Sequence, residues 1–356
     1  MKQLSQIYFL LLLIAGVSGC SSIGYYSQAV SGHVSLMMAG EPVDQLIARD
    51  TTSAELKAKL ETSQQARQFA RNTLSLPTGD AYSEYVALDR PWVVVNLVAV
   101  PEFSLEPHRW CYLVLGCQAY RGYFSLDDAK REQAKFNDDQ FDTFIGGVTA
   151  YSTLGWFDDP LHSGFTNLSD GRMVALIFHE LAHQVLYVSG DTTFNESFAN
   201  AVELEGLKLW SRQNDNPEVF ERARERLQQR EQTLSLVRAT SQQLEALYQQ
   251  QGQMPVAALR QRKDELLSEL AQAYLRLSEQ WQQTGPFGAN PTSLNNANLA
   301  LFRQYNQYVP GFRQLLLELD HNFPAFYRAV EDLSERPRSE RHQTLEALSE
   351  RFNEDL

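Results

Sequence analysis

The sequence "HELAHQVLYVSGDTTFNESFA", residues 179–199, joins an apolar helix pattern to a polar turn and then to a second helix pattern. His179 and His183 are four residues apart, so on a helix their imidazoles project from the same face. The pattern therefore sets hydrophilic side chains on one face of an otherwise hydrophobic helix. The apolar residues that supply its buried surface are Leu176, Ile177, Phe178, Leu181, Val185 and Leu186.

The polar face has the arrangement of the HExxH zinc-binding helix. His179 and His183 can direct ring nitrogens at one ion, and Glu180 can reach a water on that ion without binding the ion itself. Catalytic zinc sites of this kind use three protein ligands and leave one position open for water. A third ligand is therefore needed. A helix with histidines satisfied in the core, or a metal site that has lost its activity, would leave the same pattern.

Glu196 is the natural third ligand. Gly190 lets the chain reverse, and a second helix beginning near Asn195 brings Glu196 back beside the first helix. Asn200 and Glu203 follow one and two turns later on the same face, where we expect them to orient the histidines. The alternative is that Glu196 is only a helix-start acid, stabilised by the helix dipole. The predicted site is one Zn²⁺ ion with three ligands: His179, His183 and Glu196.

The segments "HELAH" and "NESFA" together resemble the gluzincin metallopeptidases, in which a glutamate in an "NExxA" setting is the third zinc ligand. The gap between the two segments is shorter here than in the well-known members. Over residues 120–305 the chain also resembles a family of bacterial lipoproteins described as aminopeptidases. The segments that carry this resemblance are "YRGYF", "AYSTLGWFDDPL", "IFHELAHQ", "TFNESFA" and "NNANLALFRQY". The resemblance implies zinc-dependent hydrolysis of a peptide substrate.

Such a reaction needs a proton acceptor and a donor for the oxyanion. Glu180 would take a proton from the attacking water and deliver it to the leaving amine. Tyr305 is our first candidate for stabilising the tetrahedral intermediate, with Tyr308, Tyr120 and Arg121 behind it. A tyrosine packed at a helix surface is the ordinary alternative. The segment "GGVTAYSTLGW" predicts an edge strand that pairs with the substrate backbone, or else an ordinary core strand.

Residues 1–19 read as a secretory signal, with Lys2, an apolar run from Ile7 to Ile14 and small residues before Cys20. The run is too short for a membrane span. The segment "VSGC" resembles the lipobox of bacterial lipoproteins, which implies cleavage before Cys20 and lipidation of that cysteine. Ser21 stands where an inner-membrane retention signal usually has Asp, which implies an outer-membrane anchor facing the periplasm. An ordinary cleaved signal is the alternative.

The charge of the chain excludes some partners. The formal net charge is -13, and loss of Lys2 with the signal makes it -14. This acidic balance argues against binding nucleic acid and against docking on anionic lipid through a basic face. The remaining cysteines, Cys111 and Cys117, predict a local disulfide in an oxidising compartment. A metal site that includes His108 is the alternative, although no second Cys/His pair completes it.

Strand patterns cluster before residue 160, at residues 91–100 and 144–157, and the rest is nearly all helical. We expect an α+β fold, mostly helical, with zincin-like active-site helices, a small N-terminal sheet and a long helical hairpin. The HExxH helix is expected from Met173 to the Ser189–Gly190 pair, and the last twenty residues as a solvated helix. The expected regions are the signal (1–19), a tether (20–30), the metallopeptidase core (31–215), a hairpin insertion (216–284) and C-terminal helices that complete the core (285–356).

Apolar residues in the 217–283 segment recur at helical spacing on both sides of "QGQMP", which predicts an antiparallel hairpin. A coiled-coil dimer arm is the competing explanation. The most probable activity implied by the resemblance is that of an aminopeptidase. We retain two alternatives, an endopeptidase of the same zinc class and a non-catalytic envelope lipoprotein that uses the hairpin to bind a protein partner.

Overall fold

The computed structural model describes residues 24–112, 116–137, 139–150, 152–153, 155–303 and 307–353. The fold is α+β and mostly helical, as predicted. The helices are α1 (24–38), α2 (Val43–Ala48), α3 (Ala54–Asn72), α4 (Leu126–Gln133), α5 (Ser163–Thr166), α6 (Asp170–Val185), α7 (Thr192–Gln213), α8 (Pro217–Tyr248), α9 (Val256–Trp281), α10 (Asn296–Arg303), α11 (Val309–Glu318), α12 (Phe323–Ser334) and α13 (Arg338–Arg351). Within the described ranges, none of them combines the length and the apolar character that crossing a bilayer requires.

The strands form small sheets. They are β1 (Glu41–Pro42), β2 (Glu84–Val86), β3 (Val94–Pro101), β4 (Trp110–Tyr112), β5 (Gly116–Gln118), β6 (Arg121–Tyr123), β7 (Phe141–Val148) and β8 (Leu161–His162). The order in the main sheet is β6-β3-β7, with both pairs antiparallel. The strand predicted at residues 91–100 is β3, which lies in the centre of this sheet. β7 lies at its edge, as predicted, but it ends at Val148, so the strand predicted to continue to residue 157 is too long.

The two helices of the opening sequence form the centre of the largest hydrophobic core. Met173, Ile177 and Phe178 of α6 are fully buried in this core, where α6 packs against α3 and α7, and α11 packs against α7. The crossing of α6 and α7 is close at Gly206, where an added Cβ would lie 3.0 Å from the Phe178 ring. Glycine therefore fits this crossing closely, because a larger side chain would displace the Phe178 ring and the Leu74 side chain.

The helical hairpin consists of α8 and α9, with Trp281 at the end of α9 donating a hydrogen bond to Gln232 in the first half of α8. It does not project freely from the body. The Lys263 ammonium, which is buried, lies 2.7 Å from the partly buried Asp142 carboxylate at the start of β7. Arg260 pairs with Glu102 beside it. The hairpin is thus fixed to the sheet by its inner face.

The HExxH helix begins and ends earlier than its apolar pattern predicts, starting at Asp170 instead of Met173. Helix α6 ends at Val185, and Leu186 is already extended, whereas we expected the helix to continue to Ser189. The reason is a contact from the next helix, since the Asn195 side-chain amide hydrogen-bonds both the N–H and the C=O of Val188 at 2.8 Å. Those bonds replace helical ones, and α7 accordingly begins at Thr192, earlier than predicted.

The predicted tether is wrong for residues 24–30, which belong to helix α1. This helix is docked on the sheet region, since Tyr25 stacks on Tyr112 with ring centroids 5.3 Å apart. The Gln28 side chain donates to the C=O of Gly122 and accepts from the N–H of Phe124. The signal segment and Cys20 lie outside the described residues.

The last helix is not solvated on all sides as predicted. Arg341, Leu345 and Leu348 of α13 are buried, and the helix packs along α11. Gly311 of α11 makes the close approach, because a Cβ there would lie 2.4 Å from the C=O of Leu345. Apart from the buried Arg341, the Arg and Glu residues that suggested a solvated helix are exposed.

Candidate metal centre

The predicted ligands come together where α6 and α7 meet. His179, His183 and Glu196 each offer one donor atom, and these atoms all lie within 4.8 Å of one another. The two imidazoles come from one face of α6, and the carboxylate comes from the first turns of α7. His183 is buried and the other two side chains are largely so.

The distances between the donors agree with a small cation among them. His179 Nε2 and His183 Nε2 are 3.2 Å apart. The Glu196 carboxylate lies 3.5 Å from His179 Nε2 and 3.8 Å from His183 Nε2. Two ligands placed tetrahedrally at about 2.0–2.1 Å from zinc are separated by about 3.3 Å. The three residues therefore fit the ligand set of a zinc ion without a backbone rearrangement.

The start of α7 holds Glu196 in position. The Asp191 side chain caps the helix by accepting from the N–H of Phe194, and it also binds Arg341 and His342 of α13. Asn195 fixes the preceding turn through Val188. Both residues lie within five positions before Glu196. Their contacts fix the backbone from which the Glu196 carboxylate reaches the histidines.

Glu203 contacts the outer nitrogen of the first histidine. Its carboxylate lies 3.1 Å from His179 Nδ1. When the His179 ring is neutral, an Nδ1–H donated to this carboxylate leaves the Nε2 lone pair available to an ion. Asn200, the other residue expected to orient the histidines, lies half-buried one turn after Glu196.

The protonation of the two histidines differs. Burial, followed by the nearby charge of His179, lowers the pKa of His183 to about 4. Burial also acts to lower the pKa of His179, but its contacts with Glu196 and Glu203 outweigh burial and raise that pKa well above its ordinary value. The metal-free site thus holds a proton on His179 and a neutral ring at His183, and binding a cation would displace that proton.

Glu180 lies beside the ligands without belonging to them. Burial and the neighbouring carboxylates raise its pKa to about 7, against the opposing effect of His179. Asp159 and the Tyr82 phenol interact electrostatically with it across the core. The Tyr82 hydroxyl and Asp159 Oδ1 are buried, and neither has a hydrogen-bond partner among the described residues. No local pattern in the sequence identified these two residues.

Among the described residues proposed to stabilise an oxyanion, Tyr120 is the one that interacts with the site, through Glu196 and Glu180. Its pKa is raised by burial and by the charges of Tyr187, Glu196 and other neighbours. Arg121 is instead paired with Glu132 at 3.0 Å, and Tyr308 packs on His342 with ring centroids 4.9 Å apart. Tyr305, the first candidate, lies outside the described residues.

Cys111 and Cys117 are joined by a disulfide between the paired strands β4 and β5. Their sulfurs are therefore not free thiolates for a metal. His108 packs instead against Trp110, with ring centroids 4.8 Å apart, and its pKa is lowered by burial. The alternative of a Cys/His metal site is not supported by this arrangement.

The model of a family described as "Putative aminopeptidase" matches residues 24–345. The chain belongs to this family. The match includes both helices of the candidate centre and extends into α13. Membership of this aminopeptidase family indicates a hydrolase that acts on peptides. No curated protein and no solved structure matches the chain.

Proposed function

We propose that this protein is a zinc-dependent aminopeptidase, anchored in the bacterial envelope by a lipid on Cys20. The observation that carries the proposal is the convergence of His179, His183 and Glu196, at separations of 3.2, 3.5 and 3.8 Å between their donor atoms. Two imidazoles and one carboxylate form a set typical of catalytic zinc, and three protein ligands leave a coordination position for solvent. The family description supports the peptidase class.

When bound, zinc supplies a Lewis acid that lowers the pKa of water and polarises the substrate carbonyl. The proton transfers are carried out by a residue of the protein. Glu180 accepts the proton of the attacking water on its carboxylate and returns it to the leaving amine. The pKa of Glu180 in the metal-free site is about 7, and a nearby cation would lower it, so the carboxylate is ionised and ready as a base.

Glu203 acts on the ligands rather than on the substrate. By accepting from His179 Nδ1 it fixes the tautomer and the ring orientation that turn Nε2 towards the ion. Tyr120 is the candidate hydrogen-bond donor for the oxyanion, since its phenol interacts electrostatically with Glu180 and Glu196. The edge strand β7 offers backbone groups for an extended peptide, and the chain after it leads to Gly155, which lies against Gln184 of α6.

The decisive experiment compares the chain with its Glu180→Gln variant. Zinc per chain is measured after purification, and hydrolysis is followed with aminoacyl reporters and with N-acetylated peptides. We expect about one zinc in both proteins and a loss of about 10²–10⁴-fold in kcat for the variant, because the base is removed and no ligand is. Glu61→Gln, an exposed acid on α3, is the matched control and should keep full activity.

The reporters also separate the two kinds of peptidase. An aminopeptidase cleaves the free-amine substrates and leaves the acetylated peptides intact, whereas equal cleavage of both would identify an endopeptidase. Undiminished hydrolysis by Glu180→Gln would contradict the mechanism. A purified chain with no zinc and no hydrolysis after zinc addition would leave a non-catalytic lipoprotein as the better explanation.

A further inference from the structure

Helix α1 has two faces of different character. Tyr25, Gln28, Gly32 and Leu36 face the body, where Gly32 approaches the Phe124 ring so closely that a Cβ would lie 2.4 Å from it. The opposite face consists of four apolar side chains spaced four residues apart, all of them exposed: Tyr26 (40%), Val30 (61%), Val34 (46%) and Met38 (82%). An exposed apolar stripe along a whole helix is unusual on a soluble surface and indicates a contact partner.

The loop beside α1 adds to this surface. Phe157 contacts His33 of α1 with ring centroids 4.7 Å apart, and its neighbour Trp156 is 80% exposed. The described residues include nine large hydrophobic side chains that are exposed, and six of them belong to this helix face or to this loop. We call these six residues the apolar face: Tyr26, Val30, Val34, Met38, Trp156 and Phe157.

Helix α1 carries no charged side chain, and the exposed Asp158 of the neighbouring loop lies next to Phe157 at the border of the apolar face. Residues 3–40 contain no Asp, Glu, Lys or Arg, although the chain as a whole is 21% charged with a net charge of -13. Serines 27, 31 and 35 lie beside the stripe and are exposed. An acidic body is repelled by anionic lipid headgroups, so the apolar side is the one that can approach a bilayer.

The position of α1 in the chain favours lipid over another protein. Cys20 precedes residue 24 by four residues, which at full extension span at most about 14 Å. If Cys20 carries the lipid anchor, the first turn of α1 is held within that distance of the bilayer surface. An interfacial helix buries its apolar side chains about 5–10 Å into the boundary between headgroups and acyl chains.

We infer that the apolar face docks on the membrane surface, with α1 lying in the plane of the interface beside the anchor. This inference uses the proposed lipid anchor but not the proposed zinc chemistry. It has a consequence for the substrate, because Gly155 of the same loop contacts Gln184, the residue after His183. The candidate centre would then be held close to the bilayer. Its peptide substrate would belong to a protein that is bound to the membrane or lies next to it.

Trp156 provides the test. The full chain is reconstituted in phosphatidylcholine vesicles with and without brominated acyl chains, flotation verifies attachment, and the fluorescence of Trp156 is taken as the difference between the chain and its Trp156→Phe variant. We expect brominated lipid to quench the Trp156 emission at least about twofold, since quenching requires insertion to the acyl region. The other tryptophans should change little.

A triple variant tests the helix face separately. Val30→Ser, Val34→Ser and Met38→Ser change only exposed side chains, so the thermal unfolding should stay the same while the quenching of Trp156 falls to less than half. Val256→Ser, at an exposed apolar residue of the hairpin, is the matched control and should leave quenching unchanged.

The outcomes are distinct. A chain that does not float with the vesicles overturns both the anchor and the docking. A chain that floats while Trp156 remains unquenched overturns the docking alone. If the detergent-solubilised chain is a dimer and the triple variant is a monomer, the apolar face binds a second copy of the chain. That result would also overturn the docking. Peptide hydrolysis enters none of these measurements, so failure of the zinc proposal is recognised independently.

Discussion

Two clusters of carboxylate and histidine lie at the start of α7. Their carboxylates, Asp191 at the N-cap and Glu196 in the helix, are five residues apart, but the side chains that contact them differ. Asp191 is 1% exposed, and its oxygens lie 2.8 Å from Arg341 and 3.1 Å from His342, with Arg338 at 3.8 Å. Around Glu196, two imidazole nitrogens point at each other at 3.2 Å, and the carboxylate is 3.5 Å from the nearer of them.

The difference shows what separates a structural cluster from a candidate metal centre. At Asp191 every partner donates a hydrogen bond or a positive charge, and this outweighs burial to lower the pKa of the carboxyl. At Glu196 the second nitrogen, that of His183, is neutral and offers a lone pair, so donor atoms converge on one point. The partners of the carboxylate therefore distinguish the two clusters. Arginine has no lone pair to offer a cation, whereas a neutral imidazole has one.

His183→Ala breaks the candidate centre and should have the largest effect. Loss of one of three ligands is expected to weaken zinc binding by about a thousandfold or more, which is measured by competition with a chelator of known affinity. His342→Ala removes a histidine from the Asp191 cluster instead and should retain tight zinc. Equal zinc loss from both variants would show that the two clusters are not functionally different.

Asp191→Asn breaks the structural cluster. It leaves the buried Arg341 guanidinium without its partner and is expected to lower the free energy of unfolding by about 3–5 kcal/mol, measured by denaturant titration. Asp89→Asn is the control, because that carboxylate pairs with Arg90 at 2.9 Å while 86% exposed. Its change should stay below about 1 kcal/mol. An Asp191→Asn chain as stable as the parent would contradict the role of this cluster.

Glu203→Gln sharpens the comparison by altering a contact of a ligand without removing the ligand. We expect zinc affinity to fall by about 10–100-fold. The neutral amide accepts the hydrogen bond from His179 Nδ1–H more weakly than the charged carboxylate does. The same chelator competition measures it. Glu265→Gln, which changes a surface carboxylate paired with Arg262, should bind zinc like the parent.

The pH dependence of zinc binding gives the smallest predicted effect. His179 has a raised pKa in the metal-free chain and must lose its proton before Nε2 can bind the ion. The apparent affinity should therefore fall by up to about tenfold per pH unit as the pH drops below that raised value. Calorimetry in two buffers of different ionisation enthalpy should give release of about one proton per zinc. Affinity that is independent of pH would argue against a protonated His179.

Much of the candidate centre could be predicted because it depends on local spacing. His179, Glu180 and His183 lie within one turn and a half of helix, and the period of α7 places Glu203 two turns after Glu196. These positions follow from sequence as soon as both segments are helical. The turn between them was less predictable, since Val188 continues the apolar pattern while its backbone is bound by Asn195.

The contacts that support the centre could not be predicted in this way. Arg341 reaches Asp191 across 150 positions of sequence, and Tyr25 reaches Tyr112 from a segment that we expected to be a tether. Tyr82 has a positive φ of 61°, which no local residue pattern indicated. Such contacts depend on the tertiary arrangement, and a helical period carries no information about it.

The clamp on Asp191 makes the beginning of α7 depend on α13, because Arg341 and His342 bind the residue that caps α7. The two partners are 150 positions apart in sequence, so this contact exists only once the tertiary fold has formed. Local opening of α13 would therefore remove the anchor of the turn that presents Glu196 and disturb the candidate centre without touching any of its ligands.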